Sequence, residues 1–138
     1  MTPTRLSTVP ALIVVLVVAF GLAGCSTTQQ LESQWTAEGS SQGLPPRGVT
    51  LVVDGDRISG SDGCNAYFGK LSVQDFSGTT GRLVVGDVTS TLIGCPAEVQ
   101  QVADWFMRLL HDRPTFVVDG NRLTLRADDG RELVLVRA

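Results

Sequence analysis

The chain has 138 residues, 43% of them apolar, with 11 basic side chains against 14 acidic ones. That length holds one modest domain plus a leader. A net charge of −3 argues against the basic patches that nucleic acid or anionic lipid would select, so no nucleic-acid partner is expected.

The first element in chain order is a leader. Arg5 supplies a positive start, Ala11 to Phe20 (ALIVVLVVAF) is an unbroken apolar run, and Gly21 to Gly24 are small or apolar. The run falls short of the roughly 20 apolar residues that span a bilayer. Extended through Gly24 it approaches that limit, so a retained anchor helix is the rival reading. Leu22-Ala23-Gly24-Cys25 decides between them. An aliphatic residue, two small residues and a cysteine read as a lipobox, in which the Cys25 thiol takes up a diacylglyceryl group. Residues 1–24 are then a lipoprotein signal peptide. Two acyl chains on Cys25 suffice for stable attachment, at about 0.8 kcal/mol per buried CH₂. The expected location is the cell membrane, with the protein lipid-anchored and facing outside the cytoplasm.

Residues 25–34 are polar and read as a flexible tether. The domain is expected over residues 35–138, opening at Trp35, with a loop at Ser40 to Arg47 around Pro45-Pro46. Asp54-Gly55, Asp119-Gly120 and Asp129-Gly130 each sit between apolar runs, the strongest short-range hairpin signal. They predict strands at Val49–Val53, Arg57–Ser59, Thr115–Val118, Arg122–Arg126 and Glu132–Arg137. Further strands are expected at Ala66–Val73 and Arg82–Val85. The last strand carries Leu133 and Leu135 on one face and Val134 and Val136 on the other, so a central rather than an edge position is expected. Between these runs Val99, Val102, Ala103, Phe106, Leu109 and Leu110 fall at helical spacing. Pro96 suits the first helical position, Glu98 suits the positive end, and Pro114 bars continuation. One helix of about 14 residues, at about 96–110, should pack on the sheet.

The chain has three cysteines. With Cys25 engaged by lipid, Cys64 and Cys95 form an even pair in an exported domain and are a disulfide candidate. Such a bridge would contribute about 3 to 4 kcal/mol in the chain-entropy model. Two reduced buried thiols are the alternative. A reactive thiol is disfavoured, because no basic or histidine neighbour in sequence would lower its pKa. There is no CxxC spacing, His111 is the one histidine, and no D-x-[DN]-x-[DN]-G array occurs, so neither zinc nor calcium is expected. No cofactor is expected. Ser61 and Ser90 lack a matching base, and no acid–base or nucleophilic pair is apparent, so no catalytic residues are assigned. Asp62, Asn65 and Tyr67 are either a turn stabilised by local side-chain bonds or a candidate binding loop.

The segment Ile58-Ser59-Gly60-Ser61-Asp62-Gly63-Cys64-Asn65-Ala66-Tyr67-Phe68-Gly69 is followed by Thr91-Leu92-Ile93-Gly94-Cys95-Pro96 and the helix. SGxxGCNxYFG followed by T-x-x-x-C-P resembles the META domain, the fold of HslJ-like heat-shock envelope lipoproteins. Trp35, the Pro45-Pro46 loop and the closing L-x-L-x-x-x-x-G strands fit as well, so the resemblance covers Trp35 to Val136. It implies a mainly β fold, a small antiparallel barrel or roll with one packed α-helix. It also implies an envelope protein linked to stress or drug tolerance, with no established reaction. The expected function is therefore a non-catalytic, lipid-anchored envelope protein that binds a protein partner or maintains the envelope under stress. The alternative is a small-ligand carrier or an enzyme-inhibitor barrel. An apolar cavity of roughly 300 Å³ or more inside the barrel would favour the carrier. A filled core with an exposed apolar patch would favour a protein partner.

Overall fold

Leucines, valines and aromatics alternating with polar residues give each strand one face that must leave water, and the chain buries these faces by rolling one sheet onto itself. A computed structural model describes residues 3–4 and 30–138; the rest of the expected leader, and Cys25, lie outside the described residues. Eight strands form a closed barrel: β1 (Ser33–Ser40), β2 (Thr50–Asp54), β3 (Arg57–Ser61), β4 (Ala66–Ser77), β5 (Thr80–Ser90), β6 (Thr115–Asp119), β7 (Arg122–Arg126) and β8 (Glu132–Arg137). Helix α1 (Ala97–His111) lies between β5 and β6 in sequence. Every strand pairs antiparallel with its neighbour in sequence, and β1 closes the ring against β8, with Ala37 opposite Leu135. The last strand therefore has a partner on each side, β7 and β1.

The meander makes the two ends of the barrel different. Connections 41–49, 62–65, 91–114 and 127–131 gather at one end, the helix end. The short connections 55–56, 78–79 and 120–121 gather at the other, the turn end, together with Gln30 and Ala138.

β5 and β6 pair only over Thr80–Arg82 and Thr115–Val117. Above that point α1 packs against β5 instead of another strand. Its buried face, Val102, Ala103, Trp105, Phe106, Leu109 and Leu110, joins the core. The interior is filled by Trp35, Tyr67, Phe106, Phe116 and surrounding leucines, all essentially inaccessible to water. Tyr67 and Phe106 meet at 5.6 Å between ring centroids, tilted by 59°, within the range of favourable aromatic pairs.

Several boundaries differ from the sequence expectation. β1 is a strand where a bare domain start was expected. Its residues look polar because only Trp35 is fully inward-facing, and a register shift between Ala37 and Gly39 breaks the alternation. Leu31 is wholly buried, and its carbonyl accepts the Trp35 indole N–H at 2.9 Å. The fold thus takes the last residues of the expected 25–34 tether, because burying Leu31 closes the turn end. β4 and β5 run longer than expected, through bulges between Phe68 and Lys70 and between Gln74 and Ser77. Pro96 stands one residue before the helix, in an extended conformation, and its carbonyl accepts the first helical bond from Gln100 at 3.0 Å.

Candidate functional site

The connection from β3 to β4 is built by its own side chains. Asp62 turns its carboxylate back onto the chain, where Oδ1 accepts the backbone N–H groups of Cys64 at 2.8 Å and Asn65 at 2.6 Å. The Asp62 N–H in turn donates to the Asn65 carbonyl at 2.9 Å. This is the local bonding that makes aspartate a turn residue. Just before it, Gly60 passes so close to β2 that a Cβ there would sit 2.2 Å from the Thr50 carbonyl oxygen, at a φ of +151°. That carbonyl also accepts the Tyr67 hydroxyl at 2.9 Å, and the Thr50 hydroxyl accepts the Ser61 N–H at 3.0 Å.

Asn65 then reaches across to the segment leading into α1. Its Oδ1 accepts the Thr91 hydroxyl at 2.9 Å and the Ile93 N–H at 2.6 Å. The Thr91 N–H donates to the Ala66 carbonyl at 3.0 Å, and the Thr91 hydroxyl accepts the Ala66 N–H at 3.2 Å. Two residues past Ile93, Cys95 is disulfide-bonded to Cys64, with 6.1 Å between their Cα atoms. The irregular stretch 91–96 is therefore held at Thr91, Ile93 and Cys95. What it displays is apolar: Leu92 is 95% exposed and Ile93 58%. Phe68, also exposed, points outward from β4 opposite Thr89.

The three residues of the candidate binding loop are thus brought together, and their polar atoms face inward. Asp62, Asn65 and Tyr67 are all buried. Among the described residues no buried side-chain nitrogen or oxygen lacks a partner. Burial pushes the Tyr67 hydroxyl well above the ordinary tyrosine pKa, and the Asp62 carboxylate adds to the shift. Among the described residues no group of three or more His, Cys, Asp or Glu converges as a metal site would require. Sequence reasoning missed Leu92 and Ile93. The signal was there, as two adjacent large aliphatics with no periodic partner, between a threonine and Gly94-Cys95-Pro96.

Two surface hollows lie on the barrel, the first at this end and the second on its side wall toward the 55–56 connection. One, of about 690 Å³, lies between the 44–48 loop and the first half of α1, with Leu44, Pro45, Val99 and Val102 in its walls and Arg47 and Glu98 beside them. The other, of about 620 Å³, runs over the outer face of β2, β3 and β4 beside Phe68 and Lys70.

Comparison with known proteins supports the architecture. An NMR structure of a protein from Burkholderia xenovorans is similar at a TM-score of 0.61 and 21% identity, covering 100% of this chain and 97% of that one. A second NMR structure is similar at a TM-score of 0.59 and 18% identity, covering 80% of this chain and 94% of the other. At such identities the likeness concerns the fold. Comparison with curated proteins gives no match. The model of the META domain matches residues 27–138, and with the disulfide-bound turn and the eight-stranded barrel in place, the chain belongs to the META domain family.

Proposed function

We propose that this protein is a non-catalytic, lipid-anchored envelope component that docks another envelope protein through the helix end of its barrel. The observation that carries the reading is the fixed display of Leu92 and Ile93. A leucine left almost fully in water gains nothing for the fold. Here the residues on either side of it are nevertheless held, Thr91 and Ile93 by hydrogen bonds to Ala66 and Asn65 and Cys95 by a disulfide. A segment already ordered loses little further entropy on binding, which is how preorganised contact residues raise affinity. The filled interior supports a protein partner over an enclosed ligand, since aromatic and leucine side chains occupy the space a carrier would leave open. The lipobox ending at Cys25 supports attachment through acyl chains.

The test is photo-crosslinking in intact cells from a reactive residue placed at position 92, with position 121 at the turn end as the control. A discrete protein adduct from position 92, absent from position 121, is the expected result. A folded protein that gives no adduct from position 92 overturns the docking reading. Replacing Leu92 with serine should abolish the adduct from a probe at position 93 while leaving stability within about 0.5 kcal/mol.

A further inference from the structure

The position of Gln30 and Leu31 bears on how the domain stands on its membrane, granted the acylation of Cys25 proposed above. Gln30 and Leu31 are tied to the turn end. Leu31 is wholly buried in the core, the Trp35 indole donates to its carbonyl, and the Arg137 guanidinium donates to the Gln30 carbonyl at 3.2 Å. Arg137 also lies 4.6 Å over the Trp35 ring, and the Ala138 N–H donates to the Gln34 carbonyl at 2.8 Å. From Cys25 to Gln30 the chain advances five residues, which fully extended cover at most about 18 Å. β1, which carries the chain from this point to the helix end, has 8 residues and measures about 27 Å along its length before tilt. The lipid attachment point can therefore reach the turn end easily, whereas the helix end lies beyond a tether of that length unless the barrel tips over.

We infer that the barrel stands on its bilayer with the β2–β3, β4–β5 and β6–β7 connections toward the lipid headgroups, and the Cys64–Cys95 end presented to the aqueous side. The occupant of the turn end is a lipid surface held there by the acyl chains. Charge adds no attraction of its own: Asp54, Asp56, Asp75 and Asp119 are exposed on or beside these connections, against Arg57 and Arg122. A net acidic rim of this kind suits a zwitterionic headgroup layer better than an anionic one. A protein reaching Leu92 and Ile93 would then approach from the aqueous side.

The experiment uses the acylated protein in phosphatidylcholine vesicles containing a headgroup spin-labelled lipid. Single fluorophores are attached at Asn121→Cys, in the turn end, or at Gln101→Cys, on the exposed face of α1. Quenching several-fold greater at 121 than at 101 is expected. Equal quenching at both positions, or stronger quenching at 101, in vesicles that carry the protein on flotation overturns the orientation and leaves the anchor standing. Protein that carries no acyl group and fails to float overturns the anchor, and the orientation with it. Adding anionic lipid should leave binding of the unacylated domain undetectable; adsorption of that form through its turn end would contradict the role assigned to the acyl chains.

Discussion

The turn end and the helix end of this barrel solve the same problem, reversing a strand, by different means. At the turn end Gly55, Gly78 and Gly120 supply positive φ values of 59°, 63° and 58°, and a Cβ at any of them would meet nothing within 4 Å. Those reversals ask only for a residue that tolerates the left-handed region. At the helix end the 62–65 reversal is bonded by its own Asp62 and also holds a segment from far along the chain. Asn65 holds a residue 28 positions away, and Cys64 one 31 positions away. A local turn can be replaced by another local turn, while a knot of distant side chains has to be assembled whole. Such an assembly makes sense where a loop must keep one shape in water, as the Leu92–Ile93 segment does.

Substitutions should expose that contrast. Gly60→Ala at the helix end places a methyl against the Thr50 carbonyl, which backbone movement must relieve while disturbing the Tyr67 bond. A loss of about 4 kcal/mol or more is expected in chemical denaturation. Gly55→Ala at the turn end meets open space and should cost about 1 kcal/mol, the penalty of a side chain in the left-handed region. Similar losses at both would refute the distinction between the ends. Cys64→Ser and Cys95→Ser should each remove about 3 to 4 kcal/mol, and the double variant no more than either single one. Additive losses would mean that the bridge is not formed. Asn65→Ala withdraws the acceptor of the Thr91 hydroxyl and the Ile93 N–H. A cost of about 2 kcal/mol should come with faster amide hydrogen exchange at Ile93, and unchanged exchange there would sever the motif from the loop.

The same contrast governs how much could be read from the sequence. Asp54-Gly55 and Asp119-Gly120 announced their hairpins because two residues carry all the information a tight turn needs. The helix showed itself through its apolar stripe, which matches the face that α1 buries except at Val99, half-buried in the wall of a surface hollow, and with Trp105 added, its indole N–H donating to Gln42 at 2.9 Å. β1 stayed hidden, since its pairing with β8 is a long-range event and its own pattern is broken by the register shift. At the site, Asp62, Asn65 and Tyr67 could be selected as a group. Whether their polar atoms point to a ligand or into the fold depends on Thr50, Thr91 and Ile93, which no local pattern links to them.

The smallest effect near neutrality should come from Tyr67, and its size depends on pH. Tyr67→Phe removes one hydrogen bond, to the Thr50 carbonyl, at a cost of about 1 kcal/mol. Alkali changes the balance. Burial, reinforced by Asp62, raises the folded-state pKa of Tyr67 above its unfolded value, which lies near about 10. The buried phenol therefore stays protonated in the folded state while the unfolded chain ionises. Below the ordinary tyrosine pKa its contribution to stability is fully present; as pH rises above that value the unfolded state is favoured and the contribution is progressively lost. Tyr67 is the one tyrosine in the chain, so tyrosinate absorbance reports on this residue alone. Its appearance should coincide with unfolding, and the Phe variant should resist alkali better than the parent although it is weaker at neutral pH. Tyrosinate formation well before the loss of β structure would show that water reaches the hydroxyl, and that the helix end is less firmly closed than its hydrogen bonds require.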